Sequence, residues 1–336
     1  MMDIIFEKLK KELSRSRSDR GSSIKSGPGV QKNILMARHT TFKIGGPAEY
    51  FLSATKEKEI INAIDVAKKL KVPIFVMGGG SNLLVLDKGV KGLVIKNQVT
   101  TPIVLKSSNV IEAPAGIVLG DLVDFSIKNS LQGLEWAGGL PGTFGGAIRG
   151  NAGAFGGETK DVIFQARALD KNLRLRKLSN KQCQFSYRSS IFKRENWIVL
   201  SASVKLKKWD KKALQAVSNS HKIYRNEKHP LEYPNAGSIF KNVDFKDISA
   251  KYQNLFLDKV KKDPFPIVPA AWFIIGAGLA GKKIGHAQIS EKHSNYIVNL
   301  GGAKASDVLA LIETVKKKVK KIYKINLETE VQILGK

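Results

Sequence analysis

Between Gly133 and Glu158 the chain reads GLEWAGGLPGTFGGAIRGNAGAFGGE, with ten glycines, Pro141 and Asn151. So many chain breakers argue against an ordinary helix or strand running through it. Glycine permits positive φ, tight turns and close approach of backbone to a ligand. Successive backbone N–H groups presented in this way form an anion-binding nest suited to a pyrophosphate. A flexible surface loop is the alternative reading. Against it stand Leu134, Trp136, Leu140, Phe144, Ile148 and Phe155, spaced through the stretch as residues to be buried. We read the stretch as a ligand-cradling loop that the other segments surround.

Upstream, residues 56–70 place Ile60, Ile61, Ile64, Ala67 and Leu70 on one helical face. The run VPIFVMGGGSNLLVLDKGVKGLVI then predicts a buried strand, a glycine turn and a second apolar strand. Gly78-Gly79-Gly80 lacks the G-x-G-x-x-G spacing, and no helix opens after it, so it is not a dinucleotide fingerprint of the Rossmann kind. Taken alone it is weak evidence for a phosphate loop. HTTFKIGGPAEYFLSA reads as strand, turn, strand, and residues 101–132 as a strand pair followed by a helix through Leu119, Leu122, Val123 and Ile127. Past the central stretch come three strands in VIFQARALD, LRLRKLS and WIVLSASVKL. A helix over 211–225 follows, then a helix with the apolar stripe Val308, Leu311, Ile312, Val315, Val319 and Ile322, and a closing strand in INLETEVQILG.

The first 33 residues read as an appendage: a short amphipathic helix over 2–13, then a polar, basic linker, SRSRSDRGSSIKSGPG. The balance of 56 Lys+Arg against 29 Asp+Glu gives +27 and a pI of about 10.0. Such a charge attracts acidic metabolites, membrane surfaces and polyanions alike. It is scattered, and no zinc-finger or RNA-recognition motif accompanies it, so specific nucleic-acid binding is not expected. The single Cys183 excludes an intrachain disulfide and fits a reducing compartment. No apolar run is long enough to span a bilayer, and the start of the chain lacks a signal-peptide core, so a cytoplasmic location is expected.

No G-x-S-x-G elbow, Walker loop, H-E-x-x-H or Cys/His cluster is present, so no metal is predicted. The histidines are dispersed and read as structural. Arg188 in FSYRSSIFK, Ser238 in PNAGSIFKN and Glu330 in LETEVQILG stand out as polar groups flanked by apolar segments. Individually each has an ordinary explanation: a surface ion pair, a turn residue, a solvent-facing strand position.

Together these pieces resemble the MurB family of UDP-N-acetylenolpyruvoylglucosamine reductases. The resemblance lies in HTTFKIGGPAEYF (39–51), GGGSNLL (78–84), the stretch 133–158, YRSSIFK (187–193), PNAGSIFKN (234–242), GKKIGHAQISEKHSNYIVN (281–299) and LETEVQILG (327–335), in the family's order. It implies an α+β flavoprotein of the vanillyl-alcohol-oxidase-like type. After the 1–33 extension, FAD-binding subdomains would occupy 34–100 and 101–212, with a smaller substrate-binding domain over 213–336. It implies FAD as cofactor, NADPH as co-substrate and UDP-N-acetylglucosamine enolpyruvate as substrate, in peptidoglycan precursor synthesis. A monomer is expected. The FAD turns would be Gly78, Gly79, Gly80, Ser81 and Asn82 together with Pro141, Gly142, Thr143, Gly145 and Gly146.

The resemblance also assigns roles. Ser238 matches the proton donor, and Arg188 and Glu330 match the pair that stabilises the enolate-like intermediate. A serine hydroxyl is a poor acid and can serve only where the site is dry and pre-organised. Glu330 needs its own proton to help, because a bare carboxylate would repel the intermediate. Tyr187, Lys228 and Asn242 match positions associated with the substrate, Lys228 as a diphosphate contact. Arg149-Gly150, Ile275 and Gln332 depart from the family pattern. Two rivals stay in view: an FAD-linked oxidase of the same superfold, and a non-catalytic basic polyanion binder.

Overall fold

The structure is a computed structural model that describes residues 2–18 and 29–335. Of the linker expected after the first helix, residues 19–28 lie outside the described residues. The described chain falls into two units, one drawn from Met1–Leu35, Pro47–Gly79 and Val90–Lys222, the other from Met36–Gly46, Gly80–Gly89 and Ile223–Lys336. Element order begins α1 (Met2–Ser18), β1 (Gln31–Leu35), β2 (Pro47–Ala54), α2 (Glu57–Lys69), β3 (Ile74–Met77), β4 (Leu83–Val85), β5 (Val90–Asn97), β6 (Val104–Ser107), β7 (Val110–Pro114), α3 (Leu119–Lys128) and α4 (Phe144–Gly150).

The first unit contains two large sheets, of four and five strands. In one, the order is β1-β2-β5-β3, with β5 parallel to both β2 and β3 and β1 antiparallel at the edge. Helix α2 is the crossover that parallel pairing demands. The Glu59 carboxylate accepts from the Thr55 and Lys56 N–H groups at 2.8 and 3.3 Å, satisfying donors that the first turn of α2 leaves open. Ile60, Ile64 and Ala67 are buried as the periodicity predicts, whereas Ile61 is turned outward. The amphipathic helix at the start of the chain is docked rather than pendant. Leu9 and Leu13 of α1 are buried in the core that α2 and this sheet share, and Phe6 stacks on Tyr50 at 6.3 Å between ring centroids. Each buried leucine contributes about 1.5–3 kcal/mol, which explains why a basic leader joins the core.

The second sheet is wholly antiparallel, in the order Leu175–Ser179, Ile163–Leu169, Ile198–Lys205, β7, β6. Its core takes Trp136, Phe144 and Ile148 from the glycine-rich stretch, which is why those residues are spaced as they are. The stretch is not a loop throughout: FGGAIRG forms α4, with two turns of helix despite three glycines. Gly145 explains why. A Cβ there would lie 2.7 Å from the Cβ of Ala115, so only glycine lets the helix lie against the chain leaving β7. Its N–H donates to the Ala115 carbonyl at 2.8 Å. Tertiary close approach outweighs the cost of about 1 kcal/mol per glycine in a helix.

In the second unit the strands Asn235–Ser238, Tyr296–Asn299, Ala287–Ile289 and Lys283–Ile284 form an antiparallel sheet in that order. The helix Ala305–Tyr323 packs on it through Val308, Leu311, Ile312, Val315 and Val319. Its N–H groups at Ala305 and Ser306 donate to the Asp87 carboxylate at 2.7 and 3.0 Å, an anion placed at the positive end of the macrodipole. Lys317, Lys318, Lys320 and Lys321 lie on its exposed face, as expected of a solvated surface. Two sequence expectations change here. The strand expected in HTTFKI (39–44) does not form: a 3-10 turn over Met36–His39 leads into turns and irregular chain up to residue 46, tied back by the Met36 and Ala37 N–H groups donating to the Gly46 and Gly45 carbonyls. The closing segment is a strand only over Gln332–Leu334, parallel to β4, with a single bridge between Thr329 and Phe240 before it.

Candidate active site

The turn after β3 and the turn before α4 meet inside the first unit. A Cβ on Gly78 would lie 2.1 Å from Thr143 Oγ1, and one on Gly79 would lie 3.2 Å from Gly142 Cα. The two turns are therefore packed backbone to backbone, which explains the glycines at 78 and 79. Thr143 is buried and caps α4, its Oγ1 accepting from the Gly146 N–H at 3.4 Å. Gly142 has φ 113°, and Pro141 and Gly146 are exposed on the same turn. Among the described residues the N–H groups of Gly79 and Gly142 donate to no protein acceptor. Neither segment contains a carboxylate. Adjacent open amide donors without a competing anion fit a pyrophosphate-bearing cofactor.

Arg188 occupies a two-residue turn closed by reciprocal hydrogen bonds of 3.0 Å between Ser186 and Ser189. Its φ of 53° puts a non-glycine residue in the left-handed region, a conformation that persists only when its surroundings hold it. They do: the guanidinium donates to the Gly153 carbonyl at 3.0 Å, its carbonyl accepts from Lys193 Nζ at 2.9 Å, and its plane lies 5.1 Å from the Tyr187 ring. Asn151 adds a donor to the Ser186 carbonyl at 3.0 Å. The unusual Arg149 points neither to solvent nor to the glycine turns. Its guanidinium donates to the Phe192 carbonyl and to Asn196 Oδ1, while its own carbonyl accepts from Ser190 Oγ at 2.7 Å. It braces the YRSSIFK segment that presents Arg188, and burial lowers its pKa.

In the second unit the structure brings Ser238 and Glu330 to adjoining segments. Residues 238–241 run between the strand Tyr296–Asn299 and the segment 328–331. The Ile239 N–H donates to the Asn295 carbonyl at 2.8 Å, and the Ile239 carbonyl accepts from the Glu330 N–H at 2.8 Å. Asn295 also clamps Phe240 through both ends of its amide, at 3.0 and 2.8 Å. Gly237, just before the serine, has φ 76° with open space where a Cβ would stand, so it is there for its backbone and not for room. Asn82, at the end of the triple-glycine turn, donates to the Glu330 carbonyl at 3.3 Å, and its carbonyl accepts from the Gln332 N–H at 3.1 Å. Gly80 accepts from the Thr41 N–H, and Ser81 lies beside it in the same unit. Arg188 and Tyr187 belong to the first unit, Ser238 and Glu330 to the second.

Of the substrate-associated positions, Lys228 is exposed at the C-terminal end of the helix Lys211–Lys228, and Asn242 Oδ1 accepts from the Ala270 N–H at 3.2 Å. Ile275 is exposed on the short helix Ala270–Gly276. Sequence reading missed a cluster beside Ser238. Tyr296 is its cross-strand partner, and the Tyr296 hydroxyl lies 3.2 Å from His229 Nδ1. Burial pushes the phenol up to about 12, and burial, with His293 and Arg225 nearby, pulls His229 down to about 4. Strand pairing brings 238 to 296, and side-chain contacts across the fold bring 229 and 293 beside them, so no local pattern signalled the group. Among the described residues no set of three or more His, Cys, Asp or Glu side chains is placed to hold a metal ion.

Residues 48–179 match the family model of an FAD binding domain, and residues 229–334 match that of the UDP-N-acetylenolpyruvoylglucosamine reductase C-terminal domain. The UDP-N-acetylenolpyruvoylglucosamine reductase of Clostridium novyi (strain NT) is 37% identical over 306 residues, 91% of this chain and 92% of that protein. The protein of the same name from Caldanaerobacter subterraneus subsp. tengcongensis is 37% identical over 335 residues, 100% of this chain and 99% of that one. The chain belongs to the UDP-N-acetylenolpyruvoylglucosamine reductase family. The crystal structure of UDP-N-acetylenolpyruvylglucosamine reductase (MurB) from Thermus caldophilus matches with a TM-score of 0.71 and 29% identity, covering 91% of this chain and 98% of that chain. Membership of the MurB family makes the chain an α+β flavoprotein oxidoreductase of peptidoglycan precursor synthesis, with FAD as cofactor and NADPH as co-substrate. No described helix is long and apolar enough to cross a membrane.

Proposed function

We propose that the chain reduces UDP-N-acetylglucosamine enolpyruvate to UDP-N-acetylmuramate in a ping-pong cycle, with NADPH and the enolpyruvyl ether using one site in turn. FAD, when bound, would supply the hydride-carrying chemistry that couples oxidation of NADPH to reduction of the enolpyruvyl group. The turns Gly78–Asn82 and Pro141–Gly146 would hold the cofactor pyrophosphate by backbone N–H groups. Ser238 donates its hydroxyl proton to the carbon that bears the substrate carboxylate. Arg188 binds that carboxylate through charge-assisted hydrogen bonds as negative charge develops on it. Glu330, in its protonated form, donates a hydrogen bond to the same charge. Tyr187, Lys228 and Asn242 contact the UDP-sugar, with Lys228 on the diphosphate. A soluble, cytoplasmic monomer is the state we assign to it.

The observation that supports this reading most is the way Ser238 and Glu330 are presented. Adjoining segments are joined at Ile239, where backbone hydrogen bonds of 2.8 Å on either side fix the chain that carries the serine and the glutamate. Pre-organisation of this kind lets a weak acid act, because nothing need reorient as charge forms. The test separates the half-reactions of Ser238→Ala in stopped flow. Flavin bleaching by NADPH should keep its wild-type rate, while return of colour with UDP-N-acetylglucosamine enolpyruvate should fall at least about a hundred-fold, within the range of lost general acids. A Ser238→Ala enzyme that reoxidises at the wild-type rate would remove the serine from this role.

A further inference from the structure

Three polar side chains that the cycle above does not use, Tyr296, His229 and His293, form a cluster that begins beside Ser238. Tyr296 is directly opposite the serine across the antiparallel strands Asn235–Ser238 and Tyr296–Asn299, a pairing that puts the two side chains on the same face, and the serine beside the phenol works against the upward shift of its pKa. The phenol is almost wholly buried, and its oxygen lies 3.2 Å from His229 Nδ1. His229 in turn packs edge-on against His293, with ring centroids 5.5 Å apart, and against Tyr224, whose ring is 6.2 Å away and half exposed. The line of groups thus starts at the serine and ends near the surface. The titratable groups facing this line are Arg225 and Glu330 beside Tyr296, and Arg225, His293, Lys261 and Lys292 beside His229.

We propose that Tyr296 and His229 form a proton relay behind Ser238. The proposal rests on the reading of Ser238 as donor. As the Ser238 O–H bond breaks and its proton joins the substrate carbon, the Tyr296 hydroxyl proton passes to Ser238 Oγ. The His229 Nδ1 proton passes to Tyr296 Oη, and His229 Nε2 takes one proton from solvent. One proton enters for each proton delivered to carbon, the new C–H bond using the electron pair of the intermediate, so no further redox partner is needed. Tyr296 acts through Ser238 and is a positioning residue rather than a catalytic one.

The energetics favour this direction. A serine alkoxide formed in a half-buried site is costly unless a donor meets it. A phenol is a stronger acid than an aliphatic alcohol even when burial pushes it up to about 12, so transfer from Tyr296 to the alkoxide runs downhill. His229, held neutral by burial, can release a proton at one nitrogen while accepting one at the other without a lasting charge.

Tyr296→Phe keeps the ring and removes only the hydroxyl. In the full-length holoenzyme, flavin reduction by NADPH and the Kd for UDP-N-acetylglucosamine enolpyruvate should stay within about two-fold. Reoxidation by that substrate should slow about ten- to a hundred-fold, the range for one hydrogen bond to a charged group. The proton inventory of this half-reaction should be bowed in wild type, as several protons move together, and linear in the variant. Independently of turnover, 15N NMR should show His229 protonated at Nδ1. Full-rate reoxidation by Tyr296→Phe, where Ser238→Ala is slow, would overturn the relay and leave the serine's role standing. Full-rate reoxidation by Ser238→Ala would overturn both. If Tyr296→Phe fails to hold FAD, His229→Gln decides: the same split between half-reactions supports the relay, and an unaltered oxidative rate refutes it.

Discussion

Gly78→Ala probes the packing of the two glycine turns against each other. The added methyl would lie 2.1 Å from Thr143 Oγ1 and 3.1 Å from both Thr143 Cβ and Cγ2. Thr143 cannot simply swing aside, since it is buried, β-branched and the cap of α4. Displacing the hydroxyl from the Gly146 N–H costs about 1 kcal/mol, and overpacking adds about 1–3 kcal/mol. The sum, about 2–4 kcal/mol, corresponds to a fall in Tm of about 5–10 °C for a domain of this size. The shift also moves Gly79 away from Gly142. Removing one charge-assisted hydrogen bond between a turn amide and the pyrophosphate weakens FAD binding about ten- to a hundred-fold. Differential scanning fluorimetry and flavin titration of the apoprotein read the two effects. Thr143→Ala removes two of the three crowding atoms, Oγ1 and Cγ2, so the Gly78→Ala/Thr143→Ala pair should lose less than the sum of the single variants. A Gly78→Ala protein with unchanged Tm and FAD affinity, or a strictly additive pair, would refute the packing argument.

Three further outcomes follow from the same geometry. Gly150→Ala, at the end of α4 with open space around a Cβ and no positive φ, should leave FAD binding alone and raise stability by up to about 1 kcal/mol, measured by urea unfolding. Leu9→Ala should cost about 2–5 kcal/mol in the same assay because α1 is part of the core; a loss below about 0.5 kcal/mol would return the helix to the status of an appendage. His229, pulled down to about 4, takes up a proton on unfolding at pH values between about 4 and its ordinary 6.5. The unfolded state then binds more protons, so stability is flat with respect to this group above about 6.5 and falls as pH drops toward 4. His229→Gln should flatten that acid limb in pH-dependent melting, and an unaltered slope would assign it elsewhere.

The helices α2, α3 and Ala305–Tyr323 were legible because a 3.6-residue apolar stripe survives wherever one face is buried and the other solvated. Strands such as β5 and Ile198–Lys205 were legible as apolar runs. Helix α4 was not, since its glycines answer to Ala115, a neighbour remote in sequence, and not to local propensity. The docking of α1 was hidden by its basic composition, although Leu9 and Leu13 carried the periodicity. The extent of the closing strand was also misread, because only Gln332–Leu334 meet β4. Ser238, Arg188 and Glu330 were picked out by motifs acting jointly, and none was distinctive alone. Tyr296 and His229 could not have been found in this way. Their partnership with Ser238 depends on which strand pairs with which, and HSNY carries no mark of it.

The central claim is that flavin couples NADPH to the enolpyruvyl substrate at a single site. An anaerobic absorbance titration of the purified holoprotein tests it most directly. NADPH should bleach the flavin bands, and UDP-N-acetylglucosamine enolpyruvate added afterwards should restore them with one equivalent per flavin. A flavin that bleaches with NADPH but stays colourless with that substrate, or a protein that takes up no FAD, would contradict the account.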